Sequence, residues 1–422
     1  MDKNRVYFVV DMKSFFASVE CAERGVDPFK TNLVVADSDR TNTTICLAVT
    51  PAMKKLGVKN RCRLFEIPQS IKFIIAKPQM QKYIDYSAQI YAIYLKYFDK
   101  SDIHVYSIDE CFIDVTDYLK LYKTRAKNFA KKLISEIWDQ IHVPATVGIG
   151  TNLFLAKIAL DITAKQSKDF IGWLDEEKFR KQLWHHKPIT DFWQISTGIA
   201  KRLLHFGIDD MFGVAHCKEE ILYKEFGINA QLLIDHSWGR ESCLMKDIKN
   251  YKSKSKSISS SQILPCNYNF SDARIVFQEM VQNSCYDLFK RGYVTNTISF
   301  SVGYGDSRTS FDGASVKINE TTNLYSILID YFLKLFDEKV DKKRPIRKIT
   351  IGFSSLAWQD EERYSFFVDK GQVSKEKKLT SSIVKLQSRF GKNAVLKALD
   401  LSEKATQKER NTLIGGHKSG KK

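Results

Sequence analysis

Apolar positions recur along this chain in two rhythms, and the changes of rhythm mark its elements. Arg5 to Val10 (Arg-Val-Tyr-Phe-Val-Val) is a continuous apolar run, which predicts a strand buried on both faces with Asp11 as its last residue. Lys13 to Arg24 places Phe15, Phe16, Val19 and Cys21 at helical positions. Asn32 to Ala36 and Thr43 to Val49 predict strands, and Pro51 suits the first turn of a short helix ending at Gly57. Gln79 to Lys96 and Tyr118 to Trp138 predict long amphipathic helices. Between them, Ile103 to Ile108 and Cys111 to Val115 predict two strands, and Ala145 to Ile149 predicts another. With residues 30–78 set aside, residues 1–150 read strand–helix–strand–strand–helix–strand, the split βαβ order of a ferredoxin-like sheet. Residues 175–245 predict compact helices, and Lys246 to Lys256 reads as a polar, basic linker. Residues 257–357 repeat the strand–helix–strand–strand–helix–strand order, and a less regular basic tail follows at 358–422. The expected class is a multidomain α+β protein.

At 422 residues the chain exceeds one ordinary core, and 43% hydrophobic residues exclude a disordered protein. A net charge of +17 points to a polyanionic partner, nucleic acid before an anionic membrane. No apolar run reaches the roughly 18 residues a membrane span needs. The 8 cysteines are scattered without a Cys-x-x-Cys pair, which implies reduced thiols in a cytoplasmic protein and no zinc site.

The chemistry centres on Tyr106-Ser107-Ile108-Asp109-Glu110. Asp and Glu are poor strand formers, so the pair is expected at the tip of a hairpin. Adjacent carboxylates repel unless neutralised, and hard cations such as magnesium take oxygen ligands. If the first strand neighbours this hairpin, Asp11, Asp109 and Glu110 converge, and three such carboxylates can hold two magnesium ions astride a phosphoryl displacement. The bland alternative is a surface hairpin with solvated acids. Thr197 to Leu204 and Phe206-Gly207 read as helix, tight Gly turn, helix. Gly198, Lys201 and Arg202 are placed there to hold a DNA phosphate, or else belong to an ordinary helical hairpin. Lys252, Lys254 and Lys256 in the linker are spaced to track a phosphate backbone.

Together these residues resemble the Y-family, or translesion, DNA polymerases, most closely the UmuC-like branch of Gram-positive bacteria and their mobile elements. The resemblance rests on Val10-Asp11-Met12-Lys13-Ser14-Phe15-Phe16-Ala17-Ser18-Val19-Glu20, on Tyr106 to Glu110, and on Val147-Gly148-Ile149-Gly150-Thr151-Asn152 with Leu155-Ala156-Lys157. It implies a palm at 1–29 and 79–174, fingers at 30–78, a thumb at 175–245 and a little finger at 257–357. It further implies that Asp11, Asp109, Glu110 and the Met12 carbonyl bind two Mg2+ ions. Phe16, beside Phe15, matches the steric gate that excludes a 2′-hydroxyl, and Lys54 and Lys165 fall where the family grips the deoxynucleoside triphosphate. Pro51 and Ala48 stand where many relatives carry a phosphate-binding Tyr and a Thr, so Arg61 or Arg63 is expected to take over that grip. Tyr364, Phe366 and Phe367 look like a degenerate sliding-clamp peptide, with Arg363 in place of its usual Gln. The implied activity is error-prone synthesis on primer–template DNA in a damage (SOS) response, without proofreading and with accessory damage-response subunits as further partners. A nucleotide cyclase on the same kind of sheet would lack the thumb and the second sheet. A non-catalytic DNA-binding subunit would not need the carboxylate trio.

Overall fold

A computed structural model describes residues 5–39, 41, 43–165, 167–253, 256–307 and 309–420. The chain forms two compact units, Met1–Tyr251 with His417–Lys422, and Lys252–Gly416.

The first unit is built on β1 (Tyr7–Met12). Its alternate residues enter two cores: Phe8, Val10 and Met12 face one, Tyr7 and Val9 the other, as a continuous apolar run requires. After α1 (Phe15–Ala22) the chain builds a small insertion from β2 (Leu33–Val35), β3 (Ala48–Val49), α2 (Pro51–Lys55) and β4 (Ile74–Ala76). Its sheet, ordered β3-β2-β4, has a core of its own around Val34, Val49 and Met53. The chain continues through α3 (Met80–Leu95), β5 (Ile103–Val105), β6 (Glu110–Asp114), α4 (Thr116–Leu121), α5 (Ala126–Ile141), β7 (Ala145–Gly150), α6 (Leu153–Ile158) and β8 (Ile171–Leu174). The main sheet is ordered β5-β6-β1-β7-β8, and its first four strands interleave two split βαβ units.

Helices α7 (Glu176–Leu183), α8 (Thr197–Leu204), α9 (Met211–His216), α10 (Glu219–Phe226) and α11 (Asn229–Ser237) pack around Phe179, Phe192, Leu203, Met211 and Leu222. Then comes α12 (Met245–Asn250), where the pattern predicts linker. Met245 and Ile248, one turn apart, anchor it against Tyr7, Val9 and Phe112, which outweighs its lysines. The helix predicted over 118–138 is two helices, because Lys123 breaks the run with a left-handed φ of 47°.

The second unit follows β9 (Ile258–Tyr268), α13 (Phe270–Lys290), β10 (Tyr293–Tyr304), β11 (Phe311–Thr322), α14 (Tyr325–Lys339), β12 (Ile346–Ser354) and β13 (Ala357–Trp358), with α15 (Lys370–Phe390) and α16 (Gln407–Arg410) beyond. Its four long strands are ordered β11-β10-β12-β9, so the element order repeats and the strand order does not. Here the first strand lies at the edge and the fourth inside. The Ser-rich β9 exposes alternate residues, whereas Ile346, Ile349, Ile351 and Phe353 of β12 are buried. Among the described residues no helix is long and apolar enough to cross a membrane.

Gly148 and Gly150 let α6 lie directly on β7. A Cβ on Gly148 would stand 2.1 Å from the Ala156 carbonyl oxygen, and one on Gly150 2.1 Å from the Ala156 nitrogen. Their use is close helix–sheet packing. Gly150→Ala is therefore expected to lower unfolding free energy by roughly 2–4 kcal/mol, read by urea denaturation. Wild-type stability would show that α6 can move away.

Candidate active site

Pairing of β1 with β6 sets Asp11 directly opposite Glu110, and pairing with β7 sets it opposite Thr146. Opposed residues in such a ladder have Cα atoms roughly 4.5–5.5 Å apart. Asp109 precedes β6, and its carbonyl accepts the Met12 N–H at 3.1 Å. The turn itself, residues 106–109, starts earlier and is longer than the two-residue hairpin tip expected. Tyr106 and Ser107 both donate backbone N–H bonds to the Glu110 carbonyl, and Ser107 Oγ donates to Asp109 Oδ1 at 2.7 Å. Glu110 is thus not at a tip but the first, buried residue of β6.

What permits a buried glutamate there is Lys157 of α6. Its ammonium lies 2.8 Å from Glu110 Oε1, donates to Oε2 at 2.9 Å, and pairs with Asp161 at 3.1 Å. Burial still raises the Glu110 carboxyl against this pull. For Asp11 the balance tips further: burial first, then the charges of Asp109 and Glu110, push its carboxyl up to about 7 against the weaker pull of Lys157 and Lys165. Beyond α6 the helix widens into a π-helical stretch, Ala159–Ala164, after which Lys165 stands 3.6 Å from Asp161.

Lys54, in the last turn of α2, is depressed by burial and by Lys165, while Asp11 acts the other way. Lys13 is depressed by burial and then by Lys54, and it too senses Asp11 and Lys165. Lys13, Lys54 and Lys165 are therefore one cationic group beside the carboxylates. Lys13 escaped the sequence reading because it looked like the solvated start of a helix; its place two residues after Asp11 was the signal. Its ammonium rests 4.5 Å above the Phe170 ring.

Phe15 is buried, while Phe16 is partly exposed and stacks on Tyr83 with ring centroids 4.5 Å apart at 16°. Tyr83 donates to the fully buried Glu20 at 2.8 Å. Pro51 and Ala48 are buried, Pro51 at the first position of α2 behind the capping Thr50. Arg61 is exposed on a left-handed turn, and Arg63 is committed to the Thr43 carbonyl.

The helical turn near Gly198 differs from the expectation. Gly198 lies inside α8, capped by Ser196, and the left-handed turn residue is Gly207. Lys201 is exposed, whereas Arg202 is engaged by the Glu225 carbonyl at 3.2 Å and stacked on Phe226. In the second unit Lys252 is exposed, and Lys256 sits over Tyr293 and Trp358, donating to the Tyr293 hydroxyl at 3.2 Å. Lys254 lies outside the described residues. Arg363 bridges to Thr321, Tyr364 is half-buried under Lys377, and Phe366 and Phe367 are fully exposed.

The impB/mucB/samB family model matches residues 10–161, and the C-terminal domain of the same family matches 255–366. A Bacillus subtilis (strain 168) protein named DNA polymerase IV 2 is 32% identical, covering 99% of this chain and 100% of that one. The chain belongs to the Y-family of DNA polymerases. A second B. subtilis protein, provisionally named UV-damage repair protein UvrX, is 31% identical with 97% of each chain covered. A Y-family DNA polymerase chimera of Dbh and Dpo4 shares the fold, with a TM-score of 0.65 and 24% identity over 84% of this chain and 99% of that one.

The family implies a divalent metal, and the donor chemistry of the residues here fits one: three carboxylates supply hard oxygens, and the charges of Asp109 and Glu110 bear on the buried Asp11. As placed, however, no three acidic, His or Cys side chains among the described residues gather closely enough to share an ion. Lys157 meanwhile holds Glu110 through both carboxylate oxygens.

The raised Asp11 carboxyl has a stability consequence. The folded chain holds this proton more tightly than the unfolded chain, whose value is near 3.8. Ionising Asp11 then costs nothing below that value, a growing amount up to about 7, and the full amount above it. In chelator, Asp11→Asn should stabilise the protein by roughly 1–3 kcal/mol at pH 8 and hardly at all at pH 4, by urea unfolding. Equal effects at both pH values would refute the assignment.

Proposed function

We propose that this chain is a template-directed DNA polymerase that extends primers past damaged bases by two-metal nucleotidyl transfer. The observation that carries the reading is Asp11 facing Glu110 across β1–β6, with Asp109 adjoining, in a chain of this family. In this reading residues 1–29 and 79–174 are the palm, 30–78 the fingers, 175–245 the thumb and 257–357 the little finger. Asp11, Asp109, Glu110 and the Met12 carbonyl hold the magnesium ions. Bound there, the ions supply the positive charge that favours loss of the primer hydroxyl proton and balances the triphosphate.

The chain's own residues supply the rest. Lys13, Lys54 and Lys165 face the triphosphate, so the phosphate grip lost with the Tyr at Pro51 passes to Lys13 rather than to Arg61 or Arg63. Lys157 neutralises Glu110 until the ligands assemble. Phe16 meets the sugar face and leaves no room for a 2′-hydroxyl. Lys201, Lys252 and Lys256 are placed for phosphates of the primer–template without reading sequence. The bare Phe366–Phe367 pair is the part of the clamp-like peptide able to enter an apolar pocket. A nucleotide cyclase would have no use for the second unit, whose match to the family's C-terminal domain favours the polymerase.

Primer extension tests the reading. Asp109→Ala and Glu110→Ala should each cut extension by roughly a thousand-fold or more while DNA affinity stays within about two-fold. Extension near wild type would exclude this carboxylate site. Lys13→Ala should raise the KM for the nucleotide by about ten-fold with a smaller change in kcat. An unchanged KM would remove Lys13 from the triphosphate site.

A further inference from the structure

Segment 417–420 returns to the catalytic unit and is fastened there at three points. Lys418 pairs with Asp37, whose side chain is only 8% exposed, at 3.4 Å, and also with Asp39, which Lys77 holds at 2.7 Å. Both acids follow β2, in the small insertion. The Ser419 carbonyl accepts the Gln81 N–H at 2.9 Å. Gly420 lies on Gln79 with a left-handed φ of 78°, and a Cβ there would fall 2.9 Å from the Gln79 Cβ.

The second point completes a helix end that cannot complete itself. The first N–H groups of any helix lack partners within it. Gln79, at the N-cap of α3, makes no side-chain cap, because its amide is turned to Glu20 at 3.1 Å. Ser419 supplies the missing acceptor. The same first turn leads to Tyr83, which also grips Glu20 and lies flat behind Phe16. A connected path of contacts thus runs from 417–420 through Gln79, Gln81 and Tyr83 to Phe16.

We propose that residues 417–420 form a clip that positions Phe16, so that Lys418 and Gly420, far along the chain from the site, help set discrimination between deoxyribonucleotides and ribonucleotides. The clip ties the insertion to α3 and holds the first turn of α3 where Tyr83 can brace the ring. This rests on the reading of Phe16 as the sugar-facing residue. Lys418 and Gly420 are positioning residues, since neither touches Phe16.

The test uses the full chain and measures single ribonucleotide against deoxyribonucleotide insertion. Lys418→Glu sets a third acid against Asp37 and Asp39, and Gly420→Val cannot adopt the left-handed turn or clear Gln79. Each should raise relative ribonucleotide insertion by roughly three- to ten-fold, the scale of a lost helix cap. Deoxyribonucleotide extension should stay within about two-fold, and amide exchange at 79–83 should quicken. Adding Asp39→Lys to Lys418→Glu should move selectivity back toward wild type, which a merely structural loss would not do. If Phe16→Ala admits ribonucleotides while both clip variants keep wild-type selectivity, the clip alone is overturned. If Phe16→Ala leaves selectivity unmoved, the reading of the ring beneath it falls as well.

Discussion

The site depends on carboxylates being held on paired strands where they repel one another. Asp11 and Glu110 face each other across a ladder that leaves them no freedom to separate, with Asp109 tied to Met12 alongside. A fold keeps such an arrangement only if cations are built around it. Lys157 is the innermost, fixed by the contact of α6 with the glycines of β7, and it serves Glu110 and Asp161 together. The close packing and the charge balance are therefore one design: without the bare glycine backbone, the ammonium could not stand where the buried glutamate needs it.

Outside this inner pair the charge changes sign. Lys13, Lys54 and Lys165 come from the residue after β1, from α2 of the insertion and from the end of the widened helix, three parts of the chain that meet beside the acids. Acids flanked by ammoniums suit a ligand that is itself polyanionic and carries its own cations, which is the chemistry of a nucleoside triphosphate. The overall excess of +17 belongs to the same picture, at longer range, as attraction for a nucleic-acid backbone.

The legibility of these features in the sequence follows from their range. Asp11 could be placed because an unbroken apolar run reads as an interior strand, although that strand runs one residue past Asp11, to Met12, and lies at the centre of its sheet. Glu110 was set at a hairpin tip because local propensity disfavours glutamate in a strand; the partner that reverses this, Lys157, is 47 residues away. Lys13 hid inside the very motif that marked Asp11, since a lysine at a helix start usually faces water. The strand order of the second sheet was legible only in part: its polar β9 argues for an edge, but pattern alone does not say which strand lies next to it. Ser419 acts through its backbone carbonyl, a contribution with no side-chain signature at all.

The π-helical stretch Ala159–Ala164 carries a consequence for how this gene can vary. A wide turn stores about one residue more than the α-helix it interrupts. Losing a single codon between Asp161 and Lys165 would let the turn close into an ordinary helix, and Lys165 would then stand three rather than four residues beyond Asp161, still on its face. A one-residue deletion is thus a change this stretch can absorb, whereas its buried side chains Ala159, Leu160, Ile162 and Ala164 leave little room for exchange.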